Sequence, residues 1–192
     1  DITGRTIESL ITCGLAPEHP VIQRAIEYLR REFRELPGGG AWWGRWGCNF
    51  LYGTWQATGG FAAVGLNAAN SPMLARTLDW LRSVQNIDGG FGESANSYLD
   101  PSLAGKGPST ASQTAWAAAS LMFLLPKERA ATDETLARAI AYLKNTQLLE
   151  DEPADAATEH GAHILDEPAG AWRESWFTGT GFPKVFYLRY HL

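Results

Sequence analysis

Apolar side chains recur along this chain at the spacing of an amphipathic helix. Ile7, Leu10 and Ile11 share one side of a segment that stops at Gly14, and Pro20 opens the next segment. Such patterns cover residues 3–15, 21–36, 52–66, 72–85, 112–125 and 133–147. Strand-like alternation is scarce, so the sequence predicts an all-α protein with a long loop over residues 86–111.

Three of these segments share a motif. Residues 24–29, 76–81 and 138–143 each run from an arginine to a leucine through one repeated pattern, and each leads to a loop in which glycine precedes Trp42, Phe91 or Trp172. Gln85 and Gln147 end the second and third segments, whereas the first has phenylalanine there. Repeated helix pairs bury their apolar faces only against neighbouring repeats, so we expect one stacked helical domain over residues 1–192.

Length and charge restrict the classes of protein that the chain can be. Its 192 residues are 45% hydrophobic, enough for the core of one domain. The net charge of −5 argues against a nucleic-acid partner, and no apolar run approaches the roughly 20 residues of a membrane-spanning helix. Residues 148–169 contain seven acidic residues and no lysine or arginine, so this predicted loop insertion carries −7 and the rest of the chain +2. A mildly basic body is compatible with contact with an anionic membrane.

Cysteine and histidine give weak signals. Cys13 and Cys48 lack the spacing of a disulfide framework, and we expect two buried, reduced thiols of a cytoplasmic protein, with a disulfide between them as the alternative. His160 and His163 have a spacing that suits a metal site on a helix, but they lie in the acidic loop without a third ligand nearby. A solvated loop is the favoured interpretation.

The C-terminal stretch is rich in aromatic rings. Phe182, Phe186 and Tyr190 recur at every fourth residue after two glycines, so they share one face of a predicted helix. Such a stripe is most often core packing. Periodicity alone therefore leaves a role in ligand binding open.

Several longer strings resemble a known family. Residues 76–91, with Trp80, Gln85 and Phe91, resemble the glutamine-tryptophan repeat of the triterpene cyclases. The strings at residues 44–54, 108–116 and 177–190 closely resemble the bacterial squalene–hopene cyclases, and the resemblance covers essentially the whole chain. It implies the C-terminal third of such an enzyme, folded as an α/α toroid, here a partial α6/α6 barrel.

The resemblance also implies an activity. Members of the family are isomerases that protonate a terminal alkene of squalene and close its rings through carbocations to hopene or hopanol, without a cofactor. In the family, the proton comes from the central aspartate of an Asp-x-Asp-Asp motif, which this sequence lacks. We therefore expect the acid upstream of Asp1, in the N-terminal remainder of the same enzyme, and no cyclase activity from this chain alone.

Individual residues match positions near the reaction. Asp1 and Arg5 match a segment beside the acid, where some members carry histidine at the place of Arg5. Arginine cannot shuttle a proton, but its fixed charge lowers the pKa of a nearby carboxylate. A salt-bridged helix arginine is the equally weighted alternative for Arg5.

Aromatic rings are expected to stabilise the cations, because water in the pocket would quench them. The resemblance assigns this role to Phe182, Phe186, Trp46, Tyr52 and Tyr190. Phe50 stands where a related enzyme has tyrosine, and we expect it, with Phe182 and Phe186, to line the substrate site. Trp42, Trp116 and Trp172 are expected to be structural.

The expected partner is squalene or a similar polyprenoid. The resemblance further implies a peripheral (monotopic) enzyme on the cytoplasmic side of the inner membrane, and it is compatible with a homodimer. Two alternatives remain open: a helical-toroid binding module without catalysis, and a cyclase of another polyprenoid or of a sterol precursor.

Overall fold

The protein is predominantly helical. The structure, a computed structural model, describes residues 1–151, 157–158, 161–162 and 168–173. Its α-helices are α1 (Ile2–Thr12), α2 (Pro20–Arg31), α3 (Phe50–Ala63), α4 (Pro72–Val84), α5 (Ala111–Leu124), α6 (Lys127–Ala130) and α7 (Glu134–Thr146). Short 3-10 helices, Ala95–Tyr98 and Pro101–Leu103, interrupt the long loop before α5. These elements confirm the all-α prediction.

The second predicted helix is too long. α2 ends at Arg31, and strand β1 (Arg34–Leu36) then pairs antiparallel with β2 (Gly39–Ala41). The intervening turn needs Gly38, whose φ is +85°, a conformation that residues with a side chain rarely adopt. The sequence prediction of helix through residue 36 is therefore wrong, because residues 34–36 pair with the strand that follows the glycine turn instead of continuing α2.

Helix α3 packs between α1 and α5. Its approach to α1 is close, since a Cβ added to Gly4 would lie 1.9 Å from the carbonyl oxygen of Gln56. A Cβ added to Gly60 of α3 would likewise lie 2.9 Å from the Cα of Gly4. Small residues on both helices thus allow α1, α3 and α5 to form one row with α3 buried at its centre.

The repeated aromatic residues make repeated contacts. The indole nitrogen Nε1 of Trp42 donates a hydrogen bond to the carbonyl oxygen of Leu29 at 2.6 Å, close to the end of α2. Trp172 makes the same contact with Leu143 of α7, also at 2.6 Å. Phe91 occupies this position in the second repeat and is fully buried. Trp42 and Trp172 therefore each cover the end of the helix that precedes them.

The two glutamines close the loops that follow their helices. Gln85 follows α4 and donates through Nε2 to the carbonyl oxygens of Gly89, at 2.9 Å, and of Thr135 in α7, at 2.8 Å. Gln147 follows α7 and donates to the carbonyl oxygen of Gly170 at 2.8 Å. Gln85 thus joins its own loop to the next repeat.

Other predictions from the sequence have mixed outcomes. Asp133 caps α7 as expected, accepting from the Leu136 amide at 2.9 Å, whereas Ser71 precedes α4 without a side-chain capping bond. Both cysteines are free thiols, but Cys13 is exposed, so its predicted burial is wrong. It lies at the end of the short helix α1, where the chain turns at the surface.

The acidic insertion contains a short β-hairpin pairing. Its strands β3 (Ala157–Thr158) and β4 (Gly161–Ala162) are antiparallel. Among the helices that the structure describes, none has the length and apolar character needed to cross a membrane.

Candidate functional site at the start of helix α3

Asp1 connects helix α1 to the segment that precedes α3. Its Oδ1 accepts a hydrogen bond from the Ile2 amide at 2.7 Å and caps α1. Its Oδ2 accepts from the amides of Arg45 and Trp46, at 3.0 and 3.2 Å. The carboxylate therefore fixes the backbone of Trp46 beside the first turn of α1, although the Trp46 side chain is 50% exposed.

Two cavities meet at Asp1. The smaller, of about 260 Å³, is lined by Asp1, Arg5 and Tyr52 together with apolar and hydroxyl side chains of α1. The larger, of about 880 Å³, also includes Asp1 in its walls, together with Trp43 and Phe50. Ligand pockets have volumes of roughly 300–1,000 Å³. The larger cavity falls in that range, and both contain residues that the sequence singled out.

Arg5 lies over an aromatic ring. Its Cζ is 5.7 Å from the ring centroid of Trp55, and its Nη1 is 3.4 Å from Oε2 of Glu8. Burial raises the pKa of Glu8, and the Arg5 charge opposes that rise. The ion pair with Glu8 is the contact expected of a salt-bridged helix arginine. A role of Arg5 beside the acid stays a prediction.

Tyr52 belongs to a cluster of three rings from α3 and α5. Its ring lies edge-on to Trp55, at 5.8 Å between centroids, and to Trp116, at 5.0 Å. Trp55 and Trp116 are stacked, at 6.2 Å and 6°. Burial raises the pKa of Tyr52, whereas the charge of Arg5 and a hydrogen bond with Gln56 lower it. Tyr52 is therefore a protonated phenol at neutral pH, between an aromatic wall and a cation.

Phe50 belongs to a second group of rings. It is buried and meets Trp43 edge-on at 5.5 Å, and Trp43 meets Tyr98 in the same way at 5.3 Å. The hydroxyl of Tyr98 donates to the carbonyl oxygen of Gly47 at 2.7 Å. The segment from residue 42 to residue 52 therefore contributes rings to both cavities that Asp1 lines.

Comparison with known proteins identifies the family of this chain. The family model described as the squalene-hopene cyclase C-terminal domain matches residues 1–192. The chain belongs to this family. A squalene–hopene cyclase of Alicyclobacillus acidocaldarius is 42% identical over 190 residues, which are 99% of this chain and 26% of that protein. A probable squalene–hopene cyclase of Sinorhizobium fredii is 40% identical over 193 residues, or 100% of this chain and 26% of that protein.

Relatives with other names also match. A dammaradiene synthase of Dryopteris crassirhizoma is 39% identical over 189 residues, which are 92% of this chain and 24% of that protein. The chain thus spans about a quarter of the length of these curated relatives. It corresponds to their C-terminal part.

Within this squalene–hopene cyclase domain, the structure brings together five residues that the sequence singled out. Asp1, Arg5 and Tyr52 line the smaller cavity, the backbone amide of Trp46 is bound by Asp1, and Phe50 lines the larger cavity. Their roles in a reaction stay predictions. Phe182, Phe186 and Tyr190 lie outside the described residues, as do His160 and His163.

Trp55 was missed in the sequence, although it lies three positions after Tyr52, the spacing that places side chains on one helix face. Trp116 was assigned to packing, and its contacts with Tyr52 and Trp55 agree with that assignment. In the part of the chain that the structure describes, no group of three His, Cys, Asp or Glu side chains is arranged to hold a metal ion.

Proposed function

We propose that the longer protein to which this chain belongs is a squalene–hopene cyclase. It converts squalene to hopene or hopanol by protonation of a terminal alkene and successive ring closure through carbocations. This chain supplies aromatic walls to the reaction cavity. The observation that carries the proposal is the match of the family model to all 192 residues, in a chain whose rings converge on two cavities beside Asp1.

The rings provide the chemistry that such a reaction requires. A carbocation in a dry cavity has no water to solvate it, and the negative face of an aromatic ring stabilises a cation by up to about 2 kcal/mol when both are desolvated. That energy corresponds to roughly a 30-fold change in rate for each ring that acts only in the transition state. Among the described residues, Trp43 and Phe50 line the larger cavity and Tyr52 the smaller one, and they are proposed to supply such rings. Phe182, Phe186 and Tyr190 are proposed to complete the set.

The acid is proposed to come from the N-terminal remainder of the enzyme. This chain contains no Asp-x-Asp-Asp motif. Asp1, which lines the smaller cavity, and Glu8, which pairs with Arg5 of that cavity, are both engaged already. Asp1 accepts from three backbone amides, and Glu8 pairs with Arg5. Arg5 borders the same cavity, so its charge is proposed to lower the pKa of the incoming carboxylates.

The complete fold is proposed to be an α/α toroid with glutamine-tryptophan repeats, of which this chain forms a partial α6/α6 barrel. The row of α1, α3 and α5 and the repeated contacts of Trp42, Trp172 and Gln85 support this proposal. Each repeat touches its neighbours, as in other stacked helical arrays.

We also propose that the full enzyme is a peripheral protein on the cytoplasmic side of the inner membrane. Squalene partitions into lipid, and the chain outside the acidic insertion carries +2, which suits an anionic surface. Flotation of the full-length enzyme with anionic vesicles tests the association, and its mass in detergent tests a homodimer.

Product analysis of the full-length enzyme tests the proposed activity. Purified enzyme is incubated with squalene, and the products are identified by gas chromatography and mass spectrometry. Pentacyclic hopene or hopanol is the expected result, and a sterol-like or dammarane skeleton would assign a different cyclase. The 192-residue chain alone is expected to give no product above a boiled control, so turnover by this chain would contradict an acid located upstream.

A further inference from the structure

The start of helix α3 is capped by a carboxylate from a distant part of the chain. Glu93 is buried, and its Oε2 accepts hydrogen bonds from the amides of Leu51, at 2.9 Å, and of Asn49, at 3.3 Å. The first amides of a helix lack partners within the helix, and the helix dipole favours a negative charge there. Glu93 thus satisfies amides of α3 from 42 and 44 residues away in sequence.

The side chain of the N-cap residue of α3 makes its hydrogen bonds outside that helix. Asn49 occupies the N-cap position but makes no side-chain capping bond to its own helix. Its Oδ1 accepts from the Gly44 amide and its Nδ2 donates to the hydroxyl of Ser97, both at 3.1 Å. Asn49 therefore closes the segment from residue 44 to residue 49, and the capping of α3 falls to Glu93.

Glu93 is itself held rigidly by α5. Its amide donates to Oε1 of Gln113 at 2.9 Å, and its carbonyl oxygen accepts from Nε2 of the same side chain at 3.1 Å. The same Nε2 lies 3.0 Å from the carbonyl oxygen of Cys48. Gln113 and Glu93 thus clamp the segment before α3 from the side of α5.

Burial disfavours the charged form of the Glu93 carboxyl. Burial raises the pKa of its carboxyl, and hydrogen bonds from the Leu51 amide, the Ser97 hydroxyl and the amides of Phe50 and Asn49 oppose the rise. A helix start can be capped by a serine or aspartate at the N-cap itself, without a buried glutamate. What Glu93 adds is a fixed position of α3 relative to α5 and the loop before it.

We propose that Glu93 is a positioning residue for the cyclisation, which sets the direction of the first turn of α3 and thereby the places of Phe50 and Tyr52 in the two cavities. The inference rests on the proposed function. Phe50 follows Asn49 directly, and Tyr52 follows Leu51, so any shift of the capped amides moves both rings. A displacement of about 1 Å at a reacting centre can change a rate by roughly 100-fold.

The test uses the full-length enzyme and the variant Glu93→Gln, which keeps the shape of the side chain but removes its charge. Thr77→Val is the matched control, because Thr77 is also buried and its hydroxyl donates to the carbonyl oxygen of Met73 within α4, away from residues 44–52. Two quantities are measured: amide hydrogen exchange of peptides covering residues 44–52, and the share of incompletely cyclised products from squalene. Glu93→Asp, whose carboxylate is withdrawn by about 1.5 Å, is a second variant if Glu93→Gln does not fold.

We expect faster exchange of residues 44–52 and at least about a threefold larger share of incompletely cyclised products than in Thr77→Val, with a KM close to that of the wild type. Exchange and products that change no more than in the control would overturn the proposal. Faster exchange with an unchanged product distribution would also overturn it, since Glu93 would then support only the fold. Failure of the wild-type enzyme to cyclise squalene would refute the proposed function instead, while the exchange measurement still reports on Glu93 without substrate.

Discussion

Replacement of Trp42 by phenylalanine should destabilise the domain by removing one hydrogen bond. The Trp42 side chain is 2% exposed, and its Nε1 donates to the carbonyl oxygen of Leu29 at 2.6 Å. Its ring also meets Phe33 edge-on at 5.1 Å and Phe61 at 5.5 Å. Phenylalanine retains much of this ring packing but has no N–H, so the Leu29 carbonyl at the end of α2 loses its side-chain partner.

The magnitude follows from these contacts. A buried polar group left without a partner costs about 1–3 kcal/mol, so we expect Trp42→Phe to lower the free energy of unfolding by that amount. Trp42→Ala also removes both ring contacts and leaves a cavity, and replacement of a buried tryptophan by alanine costs about 3–5 kcal/mol. Phe91 occupies the equivalent position of the second repeat, which indicates that the repeat accepts phenylalanine sterically.

Urea unfolding of the 192-residue chain, followed by far-UV circular dichroism at one fixed protein concentration, measures the change. The concentration is fixed because self-association shifts apparent stability. Trp43→Phe is the matched control, because Trp43 is 40% exposed and a substitution there is expected to have a smaller effect. A change below about 0.5 kcal/mol for Trp42→Phe, or one no larger than that of the control, would refute the assigned importance of the indole hydrogen bond.

Three further predictions concern the rings, one pH-dependent contact and the state of the fragment. In the full-length enzyme, Phe182→Ala or Phe186→Ala should raise the share of partially cyclised products, and an unchanged product profile would reduce these rings to packing. Burial alone would raise the pKa of Asp133, but hydrogen bonds from the Leu136 amide and Arg82, together with the Arg82 charge, lower it overall. The ionised carboxylate therefore stabilises the fold at neutral pH, and this stabilisation is lost as the pH falls through the lowered pKa. Asp133→Asn should therefore destabilise the chain at pH 7, by less than about 1 kcal/mol because Arg82 is exposed. The difference in stability from the wild type should vanish in acid, and a difference that stays constant with pH would contradict this account. The isolated chain should associate and bind a hydrophobic dye, because its repeats lack the neighbours of a complete array, and light scattering that gives a clean monomer without dye binding would contradict this expectation.

The site could be predicted only in part. The resemblance assigned Asp1 and Arg5 to a segment beside the acid and Tyr52, from a separate string, to the rings near the cations. Only the structure shows that the three residues line one cavity. The contact of Trp55 with Arg5 was not predicted, although helical spacing places Trp55 beside Tyr52. Glu93 gave no signal at all, because its partners are backbone amides, which every residue other than proline possesses.

Local patterns in the sequence determined the helices, their repeat and the caps that lie within a few residues of them, such as Asp133 before α7. These features depend on interactions between near neighbours, which the order of residues specifies directly. The early end of α2, the exposure of Cys13 and the capping of α3 by Glu93 were decided by the tertiary structure. Each depends on which distant segments pack beside a residue. That packing is decided only when the repeats come together, as in the row of α1, α3 and α5.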